Sequence, residues 1–162
     1  MSASIGAFLR GARVKEGTEA MLGGEASIHF SRHLSIGASG GGLLATVPII
    51  ESGADLGTEL RLGYGGLLFG YQTRIRSRTA LAGRLLLGAG HASVRAAAVG
   101  AELGADNFVV LEPEVLVRIR ALGPVHLGFT AGYRMAFGVQ DLPTLVGDDL
   151  EGTSLTIVLS IS

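Results

Sequence analysis

Between Pro124 and Val139 the chain alternates without a break. Val125, Leu127, Phe129, Ala131, Tyr133, Met135, Phe137 and Val139 are apolar, and His126, Gly128, Thr130, Gly132, Arg134, Ala136 and Gly138 between them are small or polar. An extended strand turns successive side chains to opposite faces, so this pattern builds one strand with two chemically distinct sides. The segment before it alternates too. Val109, Leu111, Pro113, Val115, Val117 and Ile119 share one face, and Glu112, Glu114, Arg118 and Arg120 share the other. Leu122-Gly123 is the expected turn between the two strands. Strands in soluble proteins usually run to about 5–6 residues. Long strands with a continuous apolar face opposite pairable charges suit a sheet that crosses a bilayer.

Composition narrows the choice. Charged residues are 17% of the chain, and mean hydropathy is +0.46. Yet the longest apolar run, 43–50, contains Thr46 and Pro48, and it falls well short of the roughly 20 residues that a membrane helix needs. The 26 glycines also oppose helices, since each interior glycine costs about 1 kcal/mol relative to alanine; inside a barrel they relieve crowding and permit bends. The formal net charge of -1 gives no global field for nucleic acid, and the basic residues are not interleaved with stacking aromatics. The absence of cysteine excludes disulfides and thiolate metal sites. The opening Met1-Ser2-Ala3-Ser4 lacks the charged and apolar regions of a signal peptide. An exported barrel requires one, so a mature chain with an added start methionine is expected.

The expectation is therefore one all-β domain over 1–162, an antiparallel up-and-down transmembrane β-barrel of eight strands. The strands are placed at 4–14, 18–31, 34–47, 56–76, 79–94, 108–122, 124–139 and 151–162. In the first, Ile5, Ala7 and Leu9 alternate with Gly6 and Arg10, while Phe8 interrupts the pattern. In the second, Leu22, Ala26, Ile28 and Phe30 face away from Glu25, Ser27 and His29. The third changes phase at Gly40-Gly41-Gly42, which suggests a β-bulge. In the fourth, Leu56, Leu60, Leu62 and Tyr64 are expected outward, opposite Glu59 and Arg61, until Gly65-Gly66, where the phase flips. A bulge there keeps eight strands; a hairpin there, with another near Ala89-Gly90, makes ten. Both totals are even, as closed bacterial barrels prefer, and eight lets long and short connections alternate. Residues 48–55, 95–107 and 140–150 are expected as connections. In the last strand Leu155, Ile157, Leu159 and Ile161 are expected to point outward and Ser154, Thr156, Ser160 and Ser162 inward.

Alternation alone does not say which face is inside, because a soluble barrel would reverse it. The contents decide. The polar face interleaves Gly, Ser and Ala with arginine and glutamate, as a narrow lumen with paired charges requires. Lys15 is the sole lysine, and arginine, with its bidentate geometry and weaker hydration, suits burial better. A lumen ion-pair network is expected from Glu25, Glu59, Arg61, Arg84, Glu112, Glu114, Arg118, Arg120 and Arg134, and a lipid-facing row from Leu127, Phe129, Tyr133 and Phe137. Charges also sort by end. Glu16, Glu19, Glu51, Asp55, Glu102, Asp106, Asp141, Asp148, Asp149 and Glu151 fall near long connections, and Arg32, Arg74, Arg76, Arg78, Arg118 and Arg120 near short turns.

The segments Tyr64-Gly65-Gly66-Leu67-Leu68-Phe69-Gly70-Tyr71, Leu85-Leu86-Leu87-Gly88-Ala89-Gly90, Phe108-Val109-Val110-Leu111-Glu112-Pro113-Glu114 and Leu127-Gly128-Phe129-Thr130-Ala131-Gly132-Tyr133-Arg134 resemble small outer-membrane β-barrel proteins of the OmpA/OmpX-like kind. The resemblance runs from about Leu22 onward. It implies a bacterial outer-membrane location and says little about activity. Such barrels usually end in an aromatic residue and carry strong aromatic girdles. This chain ends Leu159-Ser160-Ile161-Ser162, and its aromatics are 6%.

Candidate chemistry is sparse. His29, His33, His91 and His126 have no metal-ligand spacing. Ser27 and His29 share a strand face, with Glu25 as the nearest acid, but a hydrogen-bonded lumen histidine accounts for them better than catalysis. Glu112 and Glu114, spaced as paired carboxylates, are expected to answer nearby arginines. The glycine runs open no helix and so cradle no phosphate. The function expected is that of a structural or interaction barrel with a filled lumen; a narrow pore gated by the ion pairs is the alternative, and a lipid-modifying enzyme a third class. Membrane lipid is the expected partner. Outward small residues (Ala7, Gly24, Ala26, Ala38 and Ala131) would allow a homo-oligomer. No cofactor, metal or soluble substrate is expected.

Overall fold

The structure, a computed structural model, describes residues 1–14, 17–44, 47–49, 58–76, 78–96, 101–138 and 150–162. They form β1 (Ser2–Val14), β2 (Gly17–His29), β3 (Leu34–Leu43), β4 (Val47–Ile49), β5 (Thr58–Arg76), β6 (Thr79–Ala96), β7 (Ala101–Leu122), β8 (Val125–Phe137) and β9 (Gly152–Ile161). Every neighbouring pair is antiparallel. Both β3 and β4 lie along β5, so they are two pieces of one stave. Pairing of β1 with β9 then closes eight staves into a barrel. Closure leaves no sheet edge, which allows a sheet to stand in hydrocarbon.

The glycine-rich positions do not break the strands. Partners on β6 follow one another from Thr58↔Ala96 to Arg74↔Ala80, straight through Gly65-Gly66 and Ala89-Gly90. That removes the ten-strand alternative and the bulge alike. Gly40–Gly42 also keep register with β2. The irregularity in that stave lies further on: Gly42 faces Gly63 while Val47 faces Leu60, so five residues advance against three. What changes phase along β5 is the polarity of the lumen contents, not the geometry of the strand. Two expected connections are also shorter than anticipated. Residues 101–107 belong to β7, and Pro48 and Ile49 belong to β4. The expected loop at 140–150 lies outside the described residues except for Leu150. The β7–β8 turn is Gly123-Pro124, one residue later than expected, with Leu122 paired to Val125. Gly123 has φ 55, and a positive φ followed by proline is the combination a II′ hairpin turn asks for.

Burial follows the parity of each strand. On β9, Ser154, Thr156, Val158 and Ser160 are buried between exposed Leu155, Ile157, Leu159 and Ile161. Phe129, Tyr133 and Phe137 lie on the exposed outer face of β8, and Leu127 shares their parity. The chain has six phenylalanines and three tyrosines. Phe30 and Tyr71 stand outward toward the turn side, and Tyr133 and Phe137 toward the loop side, with Phe69 and Phe129 between. The remaining three, Phe8, Tyr64 and Phe108, are buried inside. Glycine makes that possible. A Cβ on Gly90 would stand 2.3 Å from the Phe108 ring, and one on Gly23 would stand 2.3 Å from the ring of Phe8. Phe8, which interrupts the alternation of β1 in sequence, is simply an inward residue.

A charged layer inside the barrel

The inward rows divide the lumen along its axis. On the loop side Met21, Leu62, Tyr64, Phe108, Val110 and Leu150 form one buried apolar cluster. Below it lies a layer of charge. Arg10 of β1 reaches across to β7, with Nη1 2.7 Å from Glu112 Oε2 and Nη2 2.6 Å from Glu114 Oε1. Arg84 of β6 donates from Nη2 to Glu114 Oε2 at 2.5 Å and from Nη1 to Glu25 Oε2 of β2 at 2.9 Å. The chain of contacts is Glu25–Arg84–Glu114–Arg10–Glu112.

It holds three carboxylates and two guanidiniums, so the acids need further donors. Glu112 obtains them from Tyr64 Oη at 2.9 Å and Ser154 Oγ at 2.6 Å. The remaining donor of Arg10, Nε, goes to Thr156 Oγ1 at 2.8 Å, and that of Arg84 goes to Glu114 at 2.9 Å. Phe8 packs under the Arg10 guanidinium, 5.1 Å from its ring centroid. Glu112 has no exposed surface and Arg10 is 3% exposed. Charges so far from water are tolerated when they are paired and further hydrogen-bonded, as Arg10 and Glu112 are here.

Of the residues expected in the network, Glu25, Arg84, Glu112 and Glu114 meet in this layer. Arg134 is buried beside it rather than in the chain. Its Nε donates to the Leu150 carbonyl at 2.6 Å, and its guanidinium sits 5.3 Å from the Tyr64 ring centroid. Arg118 and Arg120 stand below, at the turn-side mouth. Arg61 is exposed, while its neighbours Leu62 and Tyr64 are buried. The expected faces of that half of β5 are therefore reversed: the lumen is apolar at this height, so polarity pointed to the wrong side. Glu59 pairs across from Arg95, and its side chain lies outside the described residues. Most of the expected acidic loop rim also lies outside them.

Sequence reading missed Arg10, Tyr64, Ser154 and Thr156 as network members. The signal for Arg10 was its shared parity with Gly6. Phe8 between them hid it. The Ser27–His29 pair gains a neighbour, since Ser4 Oγ lies 2.9 Å from Ser27 Oγ and 3.2 Å from His29 Nε2. No acid orients that imidazole: its Nδ1 has no hydrogen-bond partner among the described residues, and Glu25 is held by Arg84.

No family model matches the chain, and no curated protein matches it by sequence. Solved structures do match in three dimensions. The chain is similar to Neisserial surface protein A (NspA), with a TM-score of 0.71 at 14% identity over 98% of this chain and 94% of that one. It is similar to Ail, the attachment invasion locus protein of Yersinia pestis, with a TM-score of 0.61 at 14% identity over 99% and 95%. A major outer membrane protein from Thermus thermophilus gives 0.51 at 13% identity over 99% of each chain. At these identities the likeness establishes the fold, a closed eight-stranded antiparallel barrel.

Proposed function

We propose that this chain is an integral β-barrel of the bacterial outer membrane with a closed lumen, acting as a structural or interaction protein through its two ends. The outer face supports the membrane setting: an apolar band with aromatic residues toward both rims is what a bilayer selects from a closed even-stranded barrel. The named outer-membrane proteins that share the fold favour the same setting. An eight-stranded barrel has an interior that side chains just fill. Neither the charged layer nor the mouth presents an oriented nucleophile and base, so the reading is of a protein without catalysis.

The observation that carries closure is the bonded chain from Glu25 through Arg84, Glu114 and Arg10 to Glu112, sealed on the loop side by Met21, Leu62 and Phe108. An ion would have to break several charge-assisted bonds and then cross an apolar stretch. Planar-bilayer recording of the refolded chain tests this. The expected record is a flat baseline, and a steady unitary current would make the chain a pore instead. Extraction from cell membranes by detergent alone, with heat-modifiable mobility on a gel, tests the membrane setting separately.

A further inference from the structure

The turn-side end of the lumen is not filled. It opens into a cavity of about 930 Å3. The strand ends and hairpins around it bring Arg32, Arg76, Arg78, Arg118 and Arg120 to its wall. His29, His33 and His126 join them, and among the described residues no aspartate or glutamate lines the cavity. Among the described residues none of these five guanidiniums forms a salt bridge; all four pairs belong to Arg10 and Arg84. The lumen charges are thus separated by height, with carboxylates answered in the layer above and cations left together below.

The wall is pinned. Gln72 N donates to the His33 carbonyl at 2.7 Å, and Arg120 N donates to the Arg78 carbonyl at 2.8 Å. His33 stacks on Tyr71 with ring centroids 5.6 Å apart. These ties cross from one hairpin to the next and fix the backbones that carry the arginines. Deeper in, His29 is 7% exposed, is held at Nε2 by Ser4, and has an Nδ1 with no protein partner among the described residues. Like charges held around a shared concavity repel, and an anion in the middle relieves every pair at once. Guanidiniums from several staves converging on one space suit oxygens with bidentate geometry.

We propose that this cup binds a soluble oxyanion carrying several phosphate or sulfate groups. A single phosphate is too small to touch guanidiniums from several hairpins across such a space, whereas a linear or branched oligophosphate reaches them together. The occupant comes from the aqueous phase, because Arg118, His29 and His126 lie on inward rows and the barrel wall stands between them and any bilayer. The charged layer closes the inner end, so the anion binds without passing through.

Calorimetry on the refolded full chain in a neutral detergent tests the assignment, with inorganic phosphate, pyrophosphate and tripolyphosphate as probes. One site is expected, with affinity rising along that series and falling as salt is added. The R118Q/R120Q variant should weaken tripolyphosphate binding about tenfold or more, the loss of charge-assisted hydrogen bonds. R32Q/R78Q, changed only at exposed turns, keeps the test valid if the first variant misfolds; it should weaken binding roughly three- to tenfold. Arg61→Gln, on the outer face, should leave affinity unchanged. No binding by the unmodified chain, or undiminished binding by both double variants, overturns the proposal. So does an equal loss in Arg61→Gln, which would mean diffuse charge rather than a site. Repeating the titration in phosphatidylcholine and phosphatidylglycerol nanodiscs separates the two sources of phosphate. Equal affinity supports an aqueous ligand, and abolition by phosphatidylglycerol would assign the cup to lipid headgroups and overturn it.

Discussion

The two ends of the lumen are built from the same strands and have opposite characters. The inward row of β7 passes from Phe108 and Val110 through Glu112, Glu114 and Leu116 to Arg118. Its loop-side members join a buried apolar cluster with Met21, Leu62 and Leu150, and its turn-side member stands in an open basic cavity. The difference teaches that alternation decides only the side of the wall on which a residue stands. What the lumen does at each height depends on where along the row that residue falls. The apolar half also explains why charge is stable in the middle. It keeps solvent away from Glu112 on one side, and the hydroxyls of Tyr64 and Ser154 complete that carboxylate's bonding.

The largest effect belongs to the middle layer. Glu112→Leu leaves Arg10 buried beside one carboxylate instead of two. It is expected to cost about 3–5 kcal/mol of unfolding free energy, read as a shifted urea midpoint in lipid vesicles. Adding Arg10→Met should not recover that loss, because Glu25 and Glu114 then share Arg84 alone. A smaller effect separates the apolar half from the outer face beside it. Leu62→Ala should cost about 2–5 kcal/mol through the cavity it leaves, whereas Arg61→Ala, one residue away, should stay within about 0.5 kcal/mol. The smallest effect belongs to the open end. Arg120→Gln removes one of several crowded cations and should change stability by less than about 0.5 kcal/mol. A large loss there would mean that the turn-side arginines hold the barrel together as the middle layer does.

Much of this architecture was legible in the chain. The rows of β8 and β9 and the outer row of β7 stand as their alternation placed them, because there the two faces differ in chemistry along the whole strand. Glu112 and Glu114 were legible as acids facing arginine for the same reason. The misplacements share one cause. Leu62, Tyr64 and Phe8 are apolar residues on inward rows, and Arg61 is a polar one on an outer row. A reading that takes polarity as the sign of the lumen must fail where the lumen itself is apolar. The apparent phase change at Gly65-Gly66 arose in the same way. Nothing local distinguishes an inward apolar residue from a bulge; only the uninterrupted pairing with β6 does. The carboxylate partners of Arg10 lie more than a hundred positions away in sequence, beyond the reach of any local pattern.

The proposed barrel keeps its charged layer inside a closed lumen and its outer apolar rows against lipid. The chain has no cysteine, so single cysteines placed at Leu67, Leu68, Phe69, Phe129 and Thr130 can each carry one fluorescent label without interference. Quenching by spin-labelled lipid in bilayers of the refolded chain then reads the two faces directly. Strong quenching at 67, 69 and 129 with little at 68 and 130 is the expected result. The reverse pattern, or equal quenching at neighbouring positions, would contradict the account.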